Sequence, residues 1–109
     1  MTDKIVVLTT CESEKHAEKL AHTLVEQRLA ACVNILPKAR SIYRWEGKIE
    51  DSAEWLVFIK SRRNLFTALR GEIERLHTYE VPEVIAIPVV DGSEAYLGWL
   101  DGQLITPAE

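Results

Sequence analysis

Apolar and polar positions along this chain switch between two periods, and each switch marks an element. Ile5-Val6-Val7-Leu8 forms a β-branched run within Lys4 to Thr9, closed by polar turn residues, and predicts a buried first strand. Beyond it Ala17, Leu20, Ala21, Leu24 and Val25 recur at the i, i+3, i+4, i+7, i+8 spacing of one helical face. Ser13 offers the N-cap, Glu14 sits in the first turn, and the helix is expected to end near Arg28-Leu29. From Ala31 to Lys60 the pattern turns extended. Cys32 to Leu36 is a strand piece interrupted at Pro37, whose missing N–H suits a sheet edge or a bulge. Ser41 to Trp45 and Lys48 to Glu50 flank Glu46-Gly47, a two-residue hairpin signal. Trp55, Val57 and Ile59 then alternate with Leu56, Phe58 and Lys60, as in a strand covered on both faces over much of its length. The middle of the chain is one long hairpin, longer than a domain of this size needs for its own core.

Helical spacing returns at Phe66, Leu69, Ile73 and Leu76, with Asn64 as the expected cap and His77 at the end. Val81-Pro82 forces extended backbone, Val84 to Val90 reads as the last strand, and Asp91-Gly92 turns into a short helix over Ser93 to Leu100. The tail from Ile105 to Glu109 is expected to fray. The order β-α-β-β-α-β plus a short C-terminal helix predicts an α+β fold, the ferredoxin-like split βαβ. Right-handed crossovers give an antiparallel sheet in the order 4-1-3-2 with helices on one face.

Composition narrows the function. At 109 residues, 47% of them apolar and 28% charged, residues 1–109 are expected to form a single domain that needs no disulfide. No run of 18 apolar residues and no leader pattern occurs, so a soluble, cytoplasmic protein without a membrane partner is expected. A net charge of −4 with no Lys/Arg stripe argues against nucleic acid. Cys11 and Cys32 lack CxxC spacing and read as small packed thiols.

The densest chemistry lies in His77-Thr78-Tyr79-Glu80-Val81-Pro82-Glu83. An imidazole and carboxylates at this spacing suit a borderline cation such as copper or zinc; they equally suit the polar collar of a helix-to-strand turn. Strand 4 antiparallel to strand 1 brings this segment beside Thr9-Thr10-Cys11. The candidate metal ligands are therefore His77, Cys11, Glu80 and Glu83, a weak, exchangeable site for copper, zinc or another divalent cation. Cys32 falls at the opposite end of the sheet, which excludes an intrachain disulfide.

The chain resembles the CutA family of divalent-cation tolerance proteins. The resemblance rests on Arg28-Leu29-Ala30-Ala31-Cys32-Val33-Asn34-Ile35-Leu36-Pro37, on Ser41-Ile42-Tyr43-Arg44-Trp45-Glu46-Gly47-Lys48-Ile49, on His77 to Glu83, and on Tyr96-Leu97-Gly98-Trp99-Leu100. It implies a ferredoxin-like subunit, association with copper tolerance, a shape similar to PII signalling proteins, and a tight homotrimer in which long hairpins pair with neighbouring strands. Tyr43, Trp45 and Ile49 are the expected interface residues. Two departures stand out: Thr78 where the family commonly has proline, and Thr9 where some relatives place a metal-binding cysteine, with Cys11 two residues on.

The readings that compete are a metal-tolerance trimer with His77 as ligand and a PII-like scaffold whose small ligand or protein partner lies between subunits. Arg44 and Lys60 are the cations available to an anion there, or else edge guards. An enzyme lacks its parts: there is no nucleophile elbow and no glycine loop to cradle phosphate, and the turn from Thr9 to Glu12 has no glycine.

Overall fold

The computed structural model describes residues 1–106. The elements run β1 (Lys4–Cys11), α1 (Glu14–Glu26), β2 (Cys32–Trp45), β3 (Lys48–Arg62), α2 (Phe66–Leu76), β4 (Ile85–Pro88) and α3 (Glu94–Gln103). The four strands form one antiparallel-paired sheet in the order β2-β3-β1-β4, the predicted ferredoxin-like order read from the other edge.

Local chemistry explains most boundaries. The Ser13 hydroxyl accepts the His16 amide at 3.1 Å and starts α1. That helix ends at Glu26, earlier than expected, because Arg28 takes a left-handed φ of 59° and breaks the repeat. Glu46 (φ 49°) and Gly47 (φ 79°) make the tight β2–β3 turn, whose two positive φ values match the right-handed twist of a hairpin. Pro37 lies in the bulge where register shifts between Leu36 and Ala39. Asn64 does not cap α2: a 3-10 turn over Arg63–Leu65 leads into the helix, and the Asn64 side chain instead accepts from Arg62 Nε at 2.9 Å. The last strand is shorter than Val84 to Val90, and α3 runs past Leu100 to Gln103 behind its Ser93 cap. Ile105, expected to fray, is held by its amide on the Arg28 carbonyl and by Arg62 on its own carbonyl. The rest of that expectation falls on residues outside those described.

The sheet has two unlike faces. Ile5, Val7, Thr9 and Cys11 alternate onto the face covered by α1 and α2, where Leu20, Leu24, Leu69 and Ile73 close over Val57 and Ile59. Lys4, Val6, Leu8 and Thr10 point the other way. At the Lys4 end that second face is held by α3, whose Asp101 receives both Lys4 (3.2 Å) and Arg62 (2.8 Å). Its middle, made by Val6, Leu8, Phe58, Ile85 and Ile87, is covered by no element among the described residues.

β1 pairs with β3 only over Trp55–Arg62, so the rest of the hairpin leaves the sheet as a two-stranded ribbon. The ribbon stretches the molecule to 44 × 26 × 23 Å. Ile42, Tyr43, Trp45 and Ile49 lie exposed along it.

Candidate cation pocket beside the His77 loop

The ribbon, the end of β1 and the segment after α2 enclose a cavity of about 630 Å³ on the second face of the sheet. Register decides which side chains reach it. Tyr43 and Trp45 share a ribbon face with Glu54, since Ala39 pairs with Glu54, Tyr43 with Glu50 and Trp45 with Lys48. Tyr79, Glu80 and Glu83 line the opposite wall, with Thr10 between. Arg44 and Lys60, the cations considered for an anion, do not line it: Arg44 reaches back to the turn carbonyl of Gly47, and Lys60 approaches the Tyr96 hydroxyl at 3.4 Å.

His77 anchors the loop to β1. Its Nε2 stands 2.7 Å from the Thr10 carbonyl and its Nδ1 3.1 Å from the Tyr79 amide. A carbonyl only accepts and an amide N–H only donates, so the ring is the neutral Nε2–H tautomer with both nitrogens engaged. Burial is the main force holding the His77 pKa below its usual value, against the Thr10 carbonyl, which favours the charged form. His16 packs edge-on against the same ring at 5.2 Å and hydrogen-bonds the Leu76 carbonyl at the end of α2. Thr78, in place of a rigid proline, donates its hydroxyl to Glu12 at 3.0 Å and ties the loop down by that route.

Glu54 is the residue that sequence reasoning missed. It is 6% exposed, takes the Tyr79 hydroxyl on Oε2 at 2.6 Å, and has no hydrogen-bond partner on Oε1 among the described residues. Desolvation, then the bond to Glu54, pushes the Tyr79 phenol upward in pKa, so it stays a neutral donor. The only sequence signal was a carboxylate sitting in phase with Leu56 and Phe58 on one face of β3, and that signal has no meaning until the face is known.

Of the four expected metal ligands, the structure brings Glu80 and Glu83 to the pocket and places His77 beside it. Cys11 lies elsewhere. It is fully buried on the helix-covered face, opposite Trp55, and burial raises its thiol to about 11, so it is no thiolate at neutral pH. Among the described residues no group of three or more His, Cys, Asp and Glu side chains is gathered closely enough to hold a metal ion. The expected sulfur–imidazole–carboxylate set therefore does not fit copper as the structure stands: one donor is protonated behind the sheet, and the imidazole has no free lone pair. Tyr43, Trp45 and Ile49 are all exposed on the ribbon, on both of its faces. Both cysteines are free, and their positions exclude a bridge: Cys32 stands opposite Lys60, level with Val6, far along β1 from Cys11.

A split βαβ sheet with one open face, a protruding ribbon and an acidic loop at the end of β1 defines a small α+β class built around an extended hairpin. Residues 5–103 match the family model described as CutA1 divalent ion tolerance protein, and the chain belongs to that family. It is 46% identical over 95 residues to the divalent-cation tolerance protein CutA of Thermus thermophilus, covering 87% of this chain and 92% of that one. It is also 46% identical over 96 residues to the chloroplastic protein CutA of Arabidopsis thaliana, of which it spans about half (53%). Among solved structures, the Thermus thermophilus protein superposes with a TM-score of 0.90 at 44% identity, covering 93% of this chain and 98% of that one. CutA1 from Oryza sativa gives 0.93 at 41%, covering 95% of each chain. Among the described residues no helix is long and apolar enough to cross a membrane.

Proposed function

We propose that this chain works without catalysis, as a homotrimer that binds divalent cations, copper among them, in metal tolerance. The observation that carries the cation reading is the lining of the pocket: Glu54, Glu80 and Glu83 face it and, among the described residues, no basic side chain does. Glu80 and Glu83 are exposed donors at its mouth, suited to a weak, exchangeable site. His77 joins such a site only by releasing the Thr10 carbonyl or the Tyr79 amide, and Cys11 has no part in it.

The assembly reading draws on the uncovered sheet face and the ribbon. Ile85 and Ile87 on the edge strand are 49% and 47% exposed, and Leu36, on the other edge strand, is 45% exposed. Apolar edges at both ends of one sheet suit a closed ring of identical subunits, in which one chain's ribbon meets the next chain's β4. A cytoplasmic location belongs to the same reading: the free Cys11 and Cys32 suit a reducing compartment. The relatives named above include a chloroplastic protein, so the location belongs to this chain's own context.

Calorimetric titration with Cu(II) tests the site. The Glu80→Gln/Glu83→Gln pair is expected to weaken binding tenfold or more, and Cys11→Ser to leave it within about twofold. Loss on Cys11→Ser equal to that on the carboxylate pair would put the thiolate back as ligand and remove this reading. A second reading, a PII-like scaffold whose small ligand sits in the same pocket, is favoured by the aromatic wall of Tyr43, Trp45 and Tyr79, which a metal ion does not need.

A further inference from the structure

The two faces of the ribbon carry opposite chemistry. Register puts Tyr43, Trp45, Glu50 and Glu54 on one face and Arg40, Ile42, Arg44 and Ile49 on the other. Arg40 is committed to Asp51 beside it, through bonds of 2.9 and 2.6 Å. Arg44 forms no ion pair among the described residues, and its hydrogen bond is a long one, 3.5 Å to the Gly47 carbonyl. Ile42, two residues before it, and Ile49, across the ribbon from it, are both exposed. An arginine flanked by two open isoleucines near the tip of a projecting ribbon has the make-up of an interface anchor.

The chemistry that would receive it lies on the same chain. The cavity under the opposite ribbon face has aromatic walls from Tyr43, Trp45 and Tyr79 and carboxylates at Glu54, Glu80 and Glu83, and among the described residues no basic side chain lines it. A guanidinium suits such a wall better than an ammonium does: its plane stacks on aromatic rings while its fork of N–H donors meets carboxylates. Arg44 cannot fill the cavity of its own chain, because it projects from the other face of the same ribbon. A second copy can supply it. Knob and socket on opposite faces of one element make a heterologous contact, which passes from copy to copy and closes into a ring.

We propose that Arg44 of one subunit docks in the acidic, aromatic cavity of the next, pairing with Glu80 and Glu83 at the mouth and lying against Tyr43 and Trp45. This rests on the assembly reading above and goes beyond it by naming what completes the cavity. The site is then composite, with its acidic half from one chain and its basic half from another. Glu80 and Glu83 are also the donors of the cation reading, so the guanidinium competes with a divalent ion for them, which agrees with a weak, exchangeable metal site.

Subunit exchange between two differently labelled batches of the full chain, followed by energy transfer, reads this contact. Arg44→Glu sets a carboxylate among carboxylates and is expected to speed exchange at least about tenfold, or to leave monomers in sedimentation. The Glu80→Lys/Glu83→Lys pair is expected to do the same from the socket side. All three substitutions in one chain reverse both halves of the contact and are expected to bring exchange back to within about threefold of the wild-type rate, a recovery that variants which merely unfold cannot show. Exchange in Arg44→Glu within about twofold of the wild type, or a triple variant no slower than the Glu80→Lys/Glu83→Lys pair, overturns the proposal. A wild type that remains a trimer in that event keeps the assembly reading standing. A wild type that sediments as a monomer removes both.

Discussion

The two faces of the sheet are built from the same alternating strands and finished in different ways. On one, Val7, Thr9, Cys11, Val57 and Ile59 are at 0% exposure beneath α1 and α2. On the other, Val6, Leu8 and Phe58 are only half-covered, Ile85 and Ile87 lie open, and polar contacts hold α3 at one end and the His77 loop at the other. A chain that could spend two helices on one face and left the other apolar is not short of covering material. The uncovered face carries hydrophobic surface that water disfavours at roughly 25 cal/mol per Å². On the assembly reading, that surface is where the second set of contacts is made.

A charge in the middle of the open face is expected to give the largest effect. Ile87→Lys places an ammonium among Val6, Leu8 and Ile85, so sedimentation equilibrium at micromolar concentration is expected to show a trimer for the wild type and mostly monomer for the variant. The wild-type melting temperature should rise with protein concentration and the variant's should not. A wild type sedimenting as a monomer would break the comparison, leaving both faces complete within one chain.

Leu69→Ala on the covered face is expected to cost about 2–5 kcal/mol in urea unfolding, since Leu69 is fully buried and its loss opens a cavity. It should leave the oligomeric state alone. A smaller loss is expected from Asp101→Asn, which strips the carboxylate from Lys4 and Arg62, whose side chains are only 9% and 11% exposed. Because Asp101 itself is 52% exposed, water takes part in the pair, and about 1–2 kcal/mol is expected, shrinking as salt is added. A loss unaffected by salt would mean that α3 is held by its apolar Leu100 and Leu104 instead.

These contrasts also mark what sequence could and could not reveal. Elements specified by local rules were legible: the Ser13 cap, the Glu46-Gly47 turn, the bulge at Pro37 and the strand order all follow from residues within a few positions of one another or from handedness. The Asn64 cap failed because Arg62, two residues away, competes for the same oxygen. The four expected metal ligands are not gathered at one point among the described residues for a reason of geometry: topology brings His77 to the end of β1, but a strand has two sides. Cys11 belongs to the helix side and Glu80 and Glu83 to the pocket side, a distinction that end-to-end placement does not contain. Glu54 was invisible on the same account. Amid Glu50, Asp51 and Ser52 it reads as ribbon polarity, and only its register with Ala39 and its bond to Tyr79 make it the base of a pocket.

The smallest expected effect sits where the two faces meet. His77 bridges Thr10 and Tyr79 as a neutral ring, and burial depresses its folded-state pKa below the usual value of about 6.5. The unfolded chain therefore takes up the proton first as pH falls. Stability from this group is fully present above about 6.5, declines as pH drops below that, and is lost once pH passes the lower folded value. Protonation also forces Nδ1 to donate, which breaks its bond from the Tyr79 amide, loosens Tyr79 and, through it, Glu54. Urea midpoints should fall between pH 7 and pH 5 more steeply in the wild type than in His77→Gln, whose amide can donate to Thr10 but does not titrate. The His77 Cε1–H resonance should titrate below 6.5. If it titrates above, the ring gives up the Tyr79 amide without penalty, the pocket wall is not held from behind, and the loop belongs to the open face alone.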